Sequence, residues 1–226
     1  MRILAIDTTT RFMCIGIYDN GKIYEYSLEL GHKQSSLLIP SIKRILGALK
    51  WRIEDIDYFA CGLGPGSFTG IRVGLSAIKG LAWAVNKPII GISTLDIIAR
   101  NVTIASSTQI VPVIDAKRNL IYCSIYKIGS KQSELKRITP YMLLSLDELV
   151  KRIKPNSIIL GDALGLYKQE LLRRISRVTA LDKDYWYPKP RNIIALVLEK
   201  IRLKKINTAF DLKPVYLYPK ECQIRK

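Results

Sequence analysis

Two stretches of this chain follow the same plan: a short apolar run of β character carries an aspartate into a turn. Residues 2–6 (Arg-Ile-Leu-Ala-Ile) deliver Asp7, and residues 110–114 (Ile-Val-Pro-Val-Ile) deliver Asp115. After Asp7, the runs 12–18 and 22–28 flank Asn20-Gly21, a dipeptide that closes two-residue hairpins. Leu38, Ile42, Ile45, Leu46 and Leu49 then recur at helical spacing. A strand at 58–61, a helix at 69–85, a strand at 88–92 and a helix at 94–100 complete this half. After Asp115 come β runs at 120–128 and 134–138, a helix at 146–153, a strand at 157–160, and helices at 166–175 and 192–204. A late β run at 212–217 ends the pattern. Hairpin-joined strands followed by alternating helices and strands predict an α/β fold of two duplicated lobes, with mixed sheets flanked by helices. The polar stretch Ser106-Ser107-Thr108-Gln109 divides the lobes into 1–105 and 106–226.

At 226 residues with 48% apolar content, the chain has enough interior for two such lobes. No apolar run reaches the roughly 18 residues of a membrane helix, and Asp7 interrupts the segment where a signal peptide is hydrophobic. Cys14, Cys61, Cys123 and Cys222 are scattered with no C-x-x-C pair, which predicts reduced thiols in a cytoplasmic protein. His32 is the single histidine, so no histidine-pair metal site is expected; it suits a polar or capping role before the first helix. The formal charge is +17, of which residues 1–105 carry +4 and residues 106–226 carry +13. That asymmetry suggests a polyanionic partner near the second lobe, nucleic acid being the obvious candidate, while solvated helix faces without interleaved aromatics explain it more simply.

Three stretches carry candidate chemistry. Asp7-Thr8-Thr9-Thr10 has hydroxyls and amides suited to a phosphate, and it also fits an ordinary polar turn. Gly62-Leu-Gly-Pro-Gly-Ser-Phe-Thr-Gly70 lets backbone approach another surface closely, with Ser67 or Thr69 placed to cap the next helix. It lacks the Gly-Lys-Ser/Thr ending of a Walker loop, and Ser67 has no evident base. In the helix that follows, Gly70, Gly74, Ala77, Gly80 and Ala84 form a stripe of small residues. Each helical glycine costs about 1 kcal/mol relative to alanine, so the stripe predicts close packing by another helix, internal or from a partner.

Taken together, several strings resemble one family. They are Ile3-Leu-Ala-Ile-Asp-Thr-Thr-Thr10, Leu38-Ile-Pro40, Gly64-Pro-Gly-Ser-Phe-Thr-Gly-Ile-Arg-Val-Gly74 and Ala77-Ile-Lys-Gly-Leu-Ala82. Ile90-Gly-Ile-Ser-Thr-Leu95, Val113-Ile-Asp-Ala-Lys-Arg118 with Tyr122, and Pro214-Val-Tyr-Leu217 continue the match. All resemble the TsaB (YeaZ) family of tRNA threonylcarbamoyladenosine synthesis, once labelled glycoprotease-like. The resemblance implies the two-lobed ASKHA fold of actin, Hsp70 and sugar kinases, built from RNase H-like lobes. It implies a non-catalytic paralogue of TsaD, the subunit that modifies the adenosine next to the anticodon. Where TsaD carries its metal-binding His-x-x-x-His, this chain reads Ser93-Thr-Leu-Asp-Ile-Ile98, and no cofactor or metal is expected. In that family the first-lobe helices dock on TsaD, or on a second TsaB when TsaD is absent. Here the docking positions implied are Leu38, Ile42, Ile45, Gly70, Gly74, Ala77, Gly80 and Ala84. TsaE is the implied third partner, and tRNA is reached indirectly or through the basic second lobe. Asp7, Thr8, Thr9 and Asp115 are the remnants of the fold's phosphate loops, and Gly161-Asp-Ala-Leu-Gly165 stands where its adenosine loop falls. The same turns leave open an ATP-dependent kinase of a small metabolite, and the old family label a peptidase.

Overall fold

The computed structural model describes residues 1–30, 34–102, 109–128 and 135–218. Two compact units emerge: Met1–Ile97 with Pro188–Val215, and Ile98–Tyr187 with Tyr216–Lys226.

In the first unit β1 (Arg2–Asp7), β2 (Phe12–Asp19) and β3 (Lys22–Glu29) form an antiparallel meander. Asn20 and Gly21 both take positive φ (46° and 102°) and close a two-residue hairpin between the paired Asp19 and Lys22. Helix α1 (Gln34–Ala48), β4 (Tyr58–Gly62), α2 (Phe68–Ala84), β5 (Ile89–Ile92) and α3 (Thr94–Ala99) follow. The sheet order is β3-β2-β1-β4-β5, with β4 and β5 parallel to β1. The pleat sends alternate residues to opposite faces. Leu4 and Ile6 therefore meet Leu38, Ile42 and Leu46 of α1 and Leu75, Ile78 and Ala82 of α2, while Ile3 and Ala5 face away from them.

The second unit repeats this plan. β6 (Gln109–Asp115), β7 (Leu120–Cys123), β8 (Tyr126–Ile128), β9 (Leu135–Arg137) and β10 (Met142–Ser145) lead into α4 (Leu146–Arg152). β11 (Ile158–Leu160), α5 (Leu164–Arg174) and β12 (Thr179–Ala180) complete it. The order β10-β7-β6-β11-β12 matches the first sheet strand for strand: antiparallel at β6–β7 and β7–β10, parallel at β6–β11 and β11–β12. Both units thus have the RNase H-like topology of ASKHA lobes. The expected run 120–128 is two strands, because Ser124 and Ile125 leave the ladder to bond Thr139: the Ser124 hydroxyl reaches its carbonyl (3.0 Å) and the Ile125 N–H its hydroxyl (2.9 Å). β10, rather than the expected 134–138, takes the third-strand position, and β9 pairs only with β8.

Helix α6 (Pro190–Arg202) corrects the expected division at 105/106. Its Ile193, Ile194 and Val197 cover Ile3 and Ala5 of β1, so Pro188–Val215 belongs to the first unit. A buried isoleucine or valine contributes about 1.5–3 kcal/mol, so these three side chains hold α6 firmly on this face of β1. Charge moves with the helix. Counted by unit, the sequence carries 18 Lys+Arg against 10 Asp+Glu in the first (+8) and 18 against 9 in the second (+9), so the asymmetry read along the chain disappears. The expected β run 212–217 joins no sheet: Pro214 has no N–H to give, and the Val215 N–H reaches the Leu63 carbonyl just past the end of β4 (2.8 Å).

Cys14, Cys61 and Cys123 are buried and unpaired with one another. Burial first, then the charge of Asp7, pushes the Cys14 and Cys61 thiols up to about 12, so neither is a thiolate at neutral pH. His32 and Cys222 lie outside the described residues. No described helix is long and apolar enough to cross a membrane.

Candidate partner-binding face and the two aspartate turns

Helix α2 starts where the sequence places it because Ser67 caps it, accepting the Gly70 N–H at 3.2 Å. The Ser67 N–H in turn donates to the Thr9 carbonyl (2.7 Å), and the Thr8 hydroxyl donates to the Gly70 carbonyl (2.7 Å). The glycine-rich loop is thereby wrapped around the Asp7–Thr10 turn. A Cβ on Gly70 would overlap the Thr8 carbonyl oxygen, one on Gly74 the Thr8 hydroxyl, and one on Gly62 the Asp7 carboxylate.

These contacts split the small-residue stripe in two. Gly70 and Gly74 are buried against Thr8, so their close approach is internal. Leu38 and Ile42 likewise sit in the first unit's core. These four of the expected docking positions are corrected: a partner cannot reach them without displacing the chain's own turn or core. Ile45 and Ala77 are half-buried, whereas Gly80 and Ala84 are exposed, and a Cβ added to Gly80 would meet nothing within 4 Å. The division has a simple cause, since the Asp7–Thr10 turn lies beside only the first two turns of α2.

What remains outside is a face that helical spacing alone revealed only in part. Trp83 is 68% exposed, three residues after Gly80; Phe68 at the start of α2 and Ile39 of the neighbouring α1 are exposed as well. The Arg72 guanidinium lies 3.8 Å from the Phe68 ring centroid. Spacing along the helix already put Trp83 on this flank; the glycines drew attention away from it.

The Asp7 turn is closed. Asp7, Thr8 and Thr9 are buried. One Asp7 oxygen accepts the Thr9 N–H (2.9 Å) and hydroxyl (2.8 Å), and the other accepts the Thr94 hydroxyl (3.3 Å). Thr9 and Thr94 share a further hydroxyl contact at 2.8 Å. Burial pushes the Asp7 carboxyl up to about 6, against the opposing pull of those bonds from Thr9 and Thr94. The Thr9 amide and the Thr8 and Thr9 hydroxyls, expected to meet a phosphate, are thus engaged by Asp7 and by the Gly70 carbonyl.

The Asp115 turn is built differently. The Asp115 N–H donates to the Asp162 carboxylate (2.9 Å), so the Gly161–Gly165 stretch serves to hold this turn. Lys117 folds back on Asp115, its ammonium 2.5 Å from one oxygen and its N–H 2.8 Å from the other. Lys117, Arg118 and Asn119 all take positive φ (64°, 51° and 59°), an unusual left-handed run. The Tyr218 hydroxyl secures it by donating to the Ala116 carbonyl (2.8 Å), with the Lys117 carbonyl at 3.3 Å. Among the described residues no group of three His, Cys, Asp or Glu is placed to hold a metal.

A family model described as "TsaD: tRNA N6-adenosine threonylcarbamoyltransferase" matches residues 29–167. The "tRNA threonylcarbamoyladenosine biosynthesis protein TsaB" of Bacillus subtilis is 31% identical over 173 residues, 75% of this chain and 74% of that protein. The chain belongs to the TsaB (YeaZ) family. The TsaB of Buchnera aphidicola from Schizaphis graminum is 28% identical over 216 residues, 92% of this chain and 98% of its own. The structure of YeaZ from Pseudomonas aeruginosa, 23% identical, superposes with a TM-score of 0.81 over 96% of this chain and 99% of that one, which shows a shared fold.

Proposed function

We propose that this chain takes part in tRNA threonylcarbamoyladenosine synthesis as a non-catalytic scaffold subunit, docking on a TsaD homologue through the outer half of the α1–α2 face. Family membership supports the pathway. The observation that carries the docking reading is Trp83, 68% exposed beside the small Gly80 and Ala84. A large aromatic flanked by small residues is the composition of an interface anchor and its surrounding flat surface. In the absence of TsaD, the same face pairs two copies of this chain. A TsaE homologue is the third partner. The occupied Asp7 turn and the self-paired Asp115 turn support a role without nucleotide turnover.

Co-purification with the TsaD homologue of the same organism tests the reading. Trp83→Ala and Gly80→Arg should each abolish the complex while leaving the melting temperature of the isolated chain within about 2 °C, since both sites are exposed. Gly74→Arg is not a usable variant, because it collides with Thr8. Retention of a stoichiometric complex by both variants would overturn the docking face.

A further inference from the structure

The end of α6 and the segment after it form a surface that the docking face does not include. Helix α6 closes in a Schellman cap, with the Lys205 N–H on the Lys200 carbonyl and the Lys204 N–H on that of Ile201, each at 2.9 Å. Lys204 occupies the left-handed position (φ 55°) that glycine or asparagine ordinarily fills. The chain is then pinned twice. Asn207 exchanges backbone hydrogen bonds with Ile89 (2.9 and 2.7 Å), and Leu212 is buried in the core. Between the pins, the Asp211 carboxylate accepts the Thr208 N–H at 2.7 Å, fixing a turn.

This well-anchored segment holds apolar side chains out in water: Phe210 is 81% exposed, Leu203 63% and Ile206 48%. Arg202, Lys204, Lys205 and Lys213 surround them in the sequence and are all exposed. None of the four makes an ion pair among the described residues. Favourable interaction with the helix C-terminus accounts for Lys204 and Lys205 but not for Lys213, nor for a phenylalanine kept in solvent.

We infer that residues 202–213 are a contact surface for single-stranded RNA, with Phe210 stacking on an unpaired base and the four cations meeting phosphates. Any base offers a π-face to an aromatic ring, and a rigid ring loses little entropy on stacking. An anionic membrane would also attract lysines, but insertion needs an amphipathic helix with a free apolar face. The apolar face of α6 is already committed to β1 through Ile193, Ile194 and Val197, which leaves Leu203, Ile206 and the Phe210 ring on a pinned cap and turn rather than along a free helix face. The inference stands on this surface alone and does not depend on docking to TsaD. Residues 202–213 lie within the 106–226 stretch that carries the larger share of the charge along the sequence, and the packing of α6 puts them in the first unit.

The test uses the purified full-length chain, a fluorescein-labelled RNA hairpin with an unpaired loop, a blunt RNA duplex of equal nucleotide number, and phosphatidylcholine vesicles containing phosphatidylserine. The hairpin should bind more tightly than the duplex, with log affinity falling against log salt at a slope of about −2 to −3. Phe210→Ala should weaken hairpin binding about tenfold with an unchanged slope, and Phe210→Trp should restore it. Lys204→Glu with Lys205→Glu should weaken binding and flatten the slope by about one. The inference is overturned if the wild-type chain does not bind the hairpin or prefers the duplex. It is equally overturned if Phe210→Ala is silent, if that change costs vesicle binding instead, or if Arg173→Glu with Arg174→Glu in α5 costs more than the Lys204/Lys205 reversal. Co-purification of Phe210→Ala with the TsaD homologue is expected to match wild type, which separates this outcome from the docking test.

Discussion

The Asp7 and Asp115 turns occupy the same place in two sheets of identical strand order, yet they are held by opposite means. Asp7 is sealed under the glycine-rich loop, and its carboxylate is held by two threonine hydroxyls and one backbone amide. Asp115 lies near the surface and carries its own counter-ion in Lys117, whose side chain is 82% exposed. Topology therefore fixes where a strand delivers its carboxylate, while the neighbouring loop decides what that carboxylate experiences. A loop of glycines can close over the turn; the left-handed Lys117-Arg118-Asn119 run cannot, and must be held from outside by Asp162 and Tyr218.

The strongest response should come from removing the glycines that permit closure. Gly70→Ala is expected to destabilise by roughly 3–4 kcal/mol in urea unfolding, because its methyl meets the Thr8 backbone rather than a flexible side-chain end. Gly80→Ala, on the same helix with open space around it, should instead stabilise by about 1 kcal/mol. Equal effects at the two positions would break the division of the stripe into an internal and an external half.

Next comes the carboxylate itself. With its carboxyl pushed up to about 6 by burial, folded Asp7 binds a proton that the unfolded chain releases nearer its ordinary value. Its contribution is therefore unfavourable and complete above about pH 6, and is relieved as pH falls towards roughly 4. Asp7→Asn keeps an acceptor for Thr9 and gains a donor for Thr94, and should raise stability at pH 8 by on the order of 2–3 kcal/mol while removing that pH dependence. Asp115→Asn keeps an acceptor for the Lys117 N–H and loses only the ion pair with the exposed Lys117 side chain, and should change stability by less than about 1 kcal/mol. Chemical denaturation from pH 4 to 8 separates the two, and an Asp7→Asn protein less stable than wild type at pH 8 would refute the sealed-turn description.

A milder change probes the second turn. Tyr218→Phe removes the hydroxyl that bonds the Ala116 carbonyl and keeps the ring, edge-on to Tyr122 at 6.0 Å between centroids. A loss of about 1 kcal/mol is expected, with faster amide exchange confined to the 116–120 turn. No change in exchange there would show that the turn holds without its tyrosine.

Much of this was present in local pattern. The alternation of Ile3, Leu4, Ala5 and Ile6 set β1 and its two buried faces, Asn20-Gly21 set the hairpin, and the spacing from Leu38 to Leu46 set α1. Those signals depend on residues a few positions apart, so a single sequence contains them whole. Three things were decided only by distant contacts. The stripe on α2 became half core and half surface because the Thr8 turn, more than sixty residues away, lies beside one end of the helix. Helix α6 crossed the expected boundary because its isoleucines found β1, and the charge asymmetry along the chain went with it. Phe210 stayed in water because Asn207 and Leu212 pin the chain on either side of it. Periodicity says that a residue has an apolar or a small face; only the folded chain determines whether something already stands against it.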